Sequence, residues 1–239
     1  MAGERYDPVA AAHYAAYRPP LHSMILGRAL SGDGSFGVGL DVGCGTGYSA
    51  VALAEYCRRV YGIDPSPSML GQATAHERVS YLGGAAERIP LPDHSVDVVT
   101  FAGSLFYADA VAAGEEVARV AREGAVVVVY DFEVLLDEVL RRCGVDPQAG
   151  GSDYDHRTNF SGAPGLAELM VRSERVSLAV SASELAHVLL SDSHRYDRFA
   201  ERYRASDPFP ALTGELRSAY DRATIEADVY YSKYRTAAA

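Results

Sequence analysis

The stretch Leu40-Asp41-Val42-Gly43-Cys44-Gly45-Thr46-Gly47 decides the fold, because of what surrounds it. An apolar run, Val38 to Val42, leads into it, and an apolar-periodic segment, Tyr48 to Tyr56, follows. A second apolar run, Val60-Tyr61-Gly62-Ile63, then ends at Asp64. This order reads as a strand, a tight glycine turn, a helix and a second strand tipped with an acid. The glycines let the backbone approach a ligand closely, and the acid is placed to hold two ribose hydroxyls. Three glycines alone are weak evidence; with a strand before, a helix after and an acid at the next strand end they are much stronger.

Outward from this unit, the pattern repeats. A helix is expected from Pro65-Ser66-Pro67 to about Ala75, since proline is tolerated in a first turn. Val79 to Leu82, Val96 to Phe101 and the valine-rich Ala125 to Tyr130 read as further strands, with Ala110 to Ala121 a helix before the last. Continuous apolar runs suit strands buried on both faces of a parallel sheet. Strands alternating with helices predict an α/β, Rossmann-like doubly wound sheet whose strand C-terminal ends share one ligand-binding rim.

The flanks read differently. Residues 8–30 are expected to be helical, interrupted near Arg18-Pro19-Pro20. Cys143 to Pro164 is loop-rich. Ser183 to Tyr203 and Leu212 to Ala223 read as helices, and Arg175 to Val180 and Asp228 to Tyr234 as strands that finish the sheet as a hairpin-like pair, the last strand antiparallel. The expected organisation is a single domain over 1–239, with N-terminal helices at about 8–30 and a helical cap inserted at about 182–222 over the ligand rim.

Composition narrows the function. The 239 residues suffice for one α/β domain with a sizeable core. A net charge of −10, with Lys233 the only lysine, argues against a nucleic-acid or anionic-membrane partner, since phosphate contacts need clustered cations. Apolar runs are too short for a membrane span, and the residues from Met1 to Tyr6 do not resemble a secretory leader, so a cytoplasmic location is expected. Cys44, Cys57 and Cys143 form no Cys-x-x-Cys pair and are expected to be reduced thiols. The spacing Gly43-x-Gly45-x-Gly47 also places the third glycine one residue early for a nicotinamide-dinucleotide fingerprint.

This ordered set of residues resembles the class I S-adenosylmethionine-dependent methyltransferases, in particular the small-molecule branch similar to the ubiquinone-biosynthesis enzymes. The resemblance covers roughly residues 10–131 and implies S-adenosylmethionine as cofactor, S-adenosylhomocysteine as product and a small-molecule methyl acceptor. It places Asp41, Gly43, Gly45 and Gly47 around the methionyl part of the cofactor and Asp64 on both ribose hydroxyls. By the same resemblance, Pro65 and Met69 pack on the adenine, and Gly84-Ala85-Ala86-Glu87-Arg88-Ile89-Pro90 forms the adenine-edge loop. Phe101 and Ala102 face the methyl group, with Phe106 beside them. Tyr14 and Arg18 belong to a segment that folds over the cofactor in many relatives, with Arg18 on the methionyl carboxylate. Two positions depart from the pattern. Ala85 stands where many relatives carry an aspartate, leaving Glu87 or backbone carbonyls to meet the adenine amino group. Phe106-Tyr107 stands where many carry a histidine and an aromatic residue, so a general-base histidine is absent at that position and a base, where the acceptor needs one, comes from elsewhere.

Tyr107 and His156 are the candidate bases. Asp153-Tyr154-Asp155-His156 also reads as a polar surface loop, and no residue set has metal-ligand spacing, so no metal is expected. Ser191 to Asp197 reads as a solvated helix face or a substrate contact. Two other functions fit the same residues: a protein that uses the cofactor without methyl transfer, and a methyltransferase acting on protein or RNA.

Overall fold

The structure, a computed structural model, describes residues 8–147, 154–219 and 223–237. The elements follow in the order α1 (Pro8–Ala16), α2 (Leu21–Ala29), β1 (Phe36–Val42), α3 (Tyr48–Leu53), β2 (Cys57–Asp64), α4 (Pro67–Leu70), β3 (Val79–Gly83) and β4 (Val96–Ala102). Then come α5 (Ala110–Val120), β5 (Ala121–Leu135), α6 (Asp137–Arg142), β6 (Leu166–Val180), α7 (Ala182–Leu190), α8 (Ser193–Tyr203), α9 (Phe209–Ala219) and β7 (Ala223–Thr236). The strands form one sheet in the order β3-β2-β1-β4-β5-β7-β6. Strands β1 to β5 are parallel, and β7 runs antiparallel to both β5 and β6. The expected Rossmann-like sheet with its antiparallel last strand is the one observed. None of the described helices is long and apolar enough to cross a membrane.

The chain forms two compact units. The sheet unit comprises Pro20–Glu133, Asp153–Glu174 and Val229–Ala239. Its central strands carry the valine and leucine runs seen in the sequence, and Leu40, Val98, Val99 and Val127 have no exposed surface. One buried cluster gathers Phe101, Val117, Val129, Phe160 and Tyr234. Full burial of each such side chain contributes about 1.5–3 kcal/mol, which is why apolar runs rather than alternation mark these strands. The register sets Val42 level with both Ile63 and Phe101, so β1, β2 and β4 end together and their following loops begin on one rim.

The helical unit comprises Met1–Pro19, Val134–Ser152 and Arg175–Asp228. Leu140, Leu185, Leu189, Phe199, Leu212 and Leu216 form its core. Residues 183–203, expected as one helix, are two. Helix α7 starts with a capping box in which Ser181 and Glu184 satisfy each other's backbone N–H groups. It stops at Leu190, and Asp192 caps α8 by accepting from the Arg195 backbone N–H at 2.8 Å. Arg195 then turns back and donates to the Leu189 carbonyl at 2.9 Å, a group that the end of α7 leaves without a helical partner. An aspartate inside a periodic stretch is a start signal, and here it outweighs the continuous apolar period.

Other boundaries moved. Helix α4 is one turn rather than a run to Ala75, and α3 ends at Leu53 rather than Tyr56. Strand β5 extends to Leu135, and β6 begins at Leu166, nine residues before the expected Arg175. The added half of β6 is mostly exposed, so it lacks the burial pattern that marks a strand in sequence. The expected turn residues Gly150-Gly151-Ser152 and the acid Asp153 lie outside the described residues, as do 220–222 at the end of the expected cap.

Candidate active site

The site begins at the C-terminal end of β1. Gly43, Gly45 and Gly47 all adopt positive φ, at 69°, 52° and 85°. Gly47 caps α3 from the left-handed region, which glycine occupies without the clash that a β-carbon introduces. A β-carbon on Gly47 would fall on the Tyr81 ring, whose hydroxyl donates to the Thr74 carbonyl at 2.8 Å. A β-carbon on Gly43 would fall on the Ser104 side chain. Ser104 in turn donates to the Val42 carbonyl at 2.5 Å, holding the loop after β4 against the end of β1.

Two aspartates fix this turn from different sides. Asp64, at the end of β2 and 8% exposed, accepts from the Gly45 N–H at 2.9 Å through Oδ2 and from the Ser66 N–H at 2.8 Å through Oδ1. Each carboxylate oxygen has two lone pairs, so both can accept one more donor. Asp41 has no exposed surface and accepts from the Ser49 hydroxyl at 2.5 Å and the Thr100 hydroxyl at 2.7 Å. It thereby ties α3 and β4 to β1. Burial pushes its carboxyl up to about 6, against the lowering effect of the two hydroxyls.

A cavity of about 330 Å³ opens along this rim. Val42 and Gly43 after β1, Asp64 and Pro65 after β2, Ala85 to Glu87 beyond β3, and Ala102 to Ser104 with Tyr107 beyond β4 line it. Glu87 is anchored, accepting from the Asp109 N–H at 2.9 Å. The volume lies in the range of a small-molecule or cofactor site. Asp64 with accepting capacity to spare and a glycine at the point of closest approach are what a ribose-bearing ligand needs, so the residues present fit S-adenosylmethionine.

The remaining candidates fall elsewhere. Gly45, Gly47 and Asp41 support the turn without lining the cavity. Phe101 is fully buried with its ring edge-on to Phe160. Met69 is 38% exposed on α4 and does not line the cavity. Phe106 packs on Tyr107 and on Tyr154, with ring centroids 4.6 Å apart in the second pair. Arg18 belongs to the helical unit, as does Tyr14, whose side chain lies outside the described residues.

Asp131 and Tyr154 enter the site unforeseen. Asp131 follows the valine run of β5, and its Oδ2 accepts from the Tyr154 hydroxyl at 2.6 Å and lies 3.0 Å from His156 Nδ1. The Tyr154 hydroxyl is also 2.8 Å from the Gly103 carbonyl, on the cavity wall. Burial and the adjacent Asp131 hold the Tyr154 phenol well above its usual value, so it stays a hydrogen-bond donor. The signal for Asp131 was present: an acid at the C-terminal end of a parallel strand stands on the ligand rim. Tyr154 had no such signal, because only the folded loop brings it back to Gly103.

A seven-stranded sheet of this order, with a glycine turn and a cavity at the ends of β1, β2 and β4, defines a Rossmann-like methyltransferase fold. A solved structure from Anaeromyxobacter dehalogenans, named as a candidate type II methyltransferase, shares this fold with a TM-score of 0.64 at 23% identity, over 93% of this chain and 98% of that one. Residues 40–129 match the family model described as a methyltransferase domain. That segment is similar to methyltransferase domains and spans less than half of the chain. Among curated relatives, an uncharacterized methyltransferase of Mycobacterium tuberculosis is 44% identical over 87 residues, 36% of this chain and 35% of that one. The ubiquinone/menaquinone biosynthesis C-methyltransferase of Rubrivivax gelatinosus is 36% identical over 96 residues, 39% of this chain and 38% of that one. The matched segment thus spans little more than a third of the length of these curated relatives.

Proposed function

We propose that this chain transfers a methyl group from S-adenosylmethionine to an O, N or C nucleophile of a small metabolite. The observation that carries this reading is the rim cavity, where Gly43, Asp64, Glu87 and Gly103 converge within the segment matched as a methyltransferase domain. When bound, S-adenosylmethionine supplies an electrophilic methyl on a sulfonium, whose S–C electron pair returns to sulfur as the acceptor forms its bond to carbon.

The residues supply binding, alignment and a proton acceptor. Asp64 receives the two ribose hydroxyls on the lone pairs not used by Gly45 and Ser66, a charge-assisted pair. Pro65 and Ala85 to Glu87, which line the cavity, would hold the adenine. Gly43 and Gly103 let the methionyl end lie against backbone. Holding the acceptor in line with the S–CH₃ bond lowers the barrier by on the order of 7–11 kcal/mol. Between the two candidate bases, His156 is favoured. Its Nδ1 faces Asp131, so Nε2 is available to take the acceptor's proton, and Asp131 stabilises the imidazolium that forms. Tyr107, 78% exposed, has no such partner for its hydroxyl among the described residues.

The test is methyl-labelled S-adenosylmethionine mixed with the protein and a fractionated extract of its host, with Asp64→Ala as control. Label in a small organic product, lost in the variant, supports this reading. Label in protein or RNA, or tight cofactor binding without any transfer, would overturn it.

A further inference from the structure

A second cavity of about 160 Å³ lies in the sheet unit beside His156, bordered by Arg157, Asn159, Arg172, Tyr230 and Ser232. We propose that it holds the acidic end of the methyl acceptor, a carboxylate or phosphate carried away from the reacting atom. This rests on the methyl-transfer reading above.

Charge is the first argument. In a chain of net charge −10, most basic side chains with assigned contacts are matched to acids. Arg28 pairs with Glu174, Arg119 with Glu116, Arg122 with Asp97 and Arg202 with Glu215. Arg157 and Arg172 border one cavity and pair with no carboxylate among the described residues. The nearby acids are engaged elsewhere. Asp155 accepts from the Arg157 backbone N–H at 2.9 Å, Glu174 takes Arg28 and the Tyr231 hydroxyl, and Asp131 takes Tyr154 and His156. Two arginines bordering one small space without a carboxylate partner attract an anion, and the planar guanidinium fork matches a carboxylate or phosphate.

Preorganisation is the second. The Arg157 guanidinium lies over the Tyr230 ring, 5.4 Å from its centroid, and the His156 ring stacks on the same tyrosine at 5.8 Å. Tyr230 thus positions both side chains while leaving the guanidinium N–H groups for a ligand. At about 30 Å³ per water, the cavity takes a small anionic group with a few atoms behind it, and is too small for the nucleoside cofactor.

Connectivity is the third. His156 borders this cavity, and the chain His156–Asp131–Tyr154–Gly103 runs through contacts of 3.0, 2.6 and 2.8 Å to the wall of the first. An acceptor anchored by its acid on Arg157 and Arg172 therefore presents its nucleophile at the proposed base.

The experiment titrates the folded chain with inorganic phosphate by calorimetry, comparing wild type with the double variant Arg157→Gln/Arg172→Gln. Both side chains are exposed, and an unchanged melting temperature verifies the fold of the variant. We expect saturable millimolar binding, at least tenfold weaker in the variant, with S-adenosylmethionine affinity unchanged within twofold. The labelled product of the extract assay should be retained on an anion exchanger and should form at least tenfold more slowly with the variant. Equal phosphate affinity in both proteins, or an uncharged labelled product, would overturn the proposal. Arginine-dependent phosphate binding with no methyl transfer to any fraction would instead mark the failure of the methyl-transfer reading, and with it the acceptor assignment.

Discussion

Ser104 closes over Gly43: its hydroxyl donates to the Val42 carbonyl at 2.5 Å, and its side chain fills the space that a β-carbon on Gly43 would need. The cavity wall is therefore set by a residue without a side chain. Gly43→Ala meets both a positive φ and this contact, the backbone alone costing about 1–2 kcal/mol. We expect a lowered melting temperature and at least tenfold weaker S-adenosylmethionine binding by calorimetry. Adding Ser104→Gly should recover part of both; full additivity of the two changes would refute the contact.

Asp41 predicts an unusual pH dependence. Its folded carboxyl titrates near 6 against an ordinary value of 3.8, so the folded state binds more protons than the unfolded state between those values. Its contribution to stability is therefore fully present below about pH 4 and declines as pH rises through 6. The deficit at neutral pH is of order 1–3 kcal/mol, at about 1.4 kcal/mol per unit. Asp41→Asn keeps an acceptor for one hydroxyl and should gain stability relative to wild type as pH rises from 4.5 to 7.5 in urea titrations. A difference that does not change with pH would contradict this.

The Asp131–His156 pair predicts a shared loss. His156→Gln and Asp131→Asn should each lower kcat by on the order of 10²-fold or more, with S-adenosylmethionine affinity preserved. The double variant should be no worse than the poorer single one, because the two act as a unit. Independent, multiplying losses in steady-state kinetics would separate them.

The thiols predict inertness. Cys44, Cys57 and Cys143 are all buried, and burial pushes each thiol upward, Cys57 to about 12. The native chain at pH 8 should react with a thiol reagent far more slowly than the unfolded chain, since the thiolate is the reactive form. Rapid reaction of even one equivalent in the native state would show an open cysteine.

In the helical unit, Asp192→Ala removes the cap of α8 and should cost about 1 kcal/mol, read as a shift of the denaturant midpoint. Asp192→Asn keeps an accepting oxygen and should cost less. Equal losses would assign the effect to charge rather than to capping.

The parts of the molecule that were legible in sequence are those whose burial is two-sided or whose backbone is special. The valine runs of β4 and β5 are strands because both faces are covered, and Gly43 to Gly47 turn because side chains would clash there. Asp64 was legible from its place at a strand end. The start of β6 was not, because an exposed edge has no hydrophobic period to read. Tyr154 was not either, because its partners Gly103 and Asp131 are 51 and 23 residues away and meet it only through the folded loop.

The three-segment make-up of the helical unit constrains how this chain can be synthesised and dissected. Its last segment ends at Asp228, while the sheet unit needs β7 residues from Val229 onward. Neither unit has all of its residues before Asp228 is made, so β5, which ends at Leu135, emerges long before its neighbour β7, which begins at Ala223. Long-range pairing of that kind is slow and leaves strand edges open to other chains in the meantime. No single cut of the gene yields an intact half, and a truncation at residue 133, after the matched segment, should give insoluble protein rather than a minimal domain.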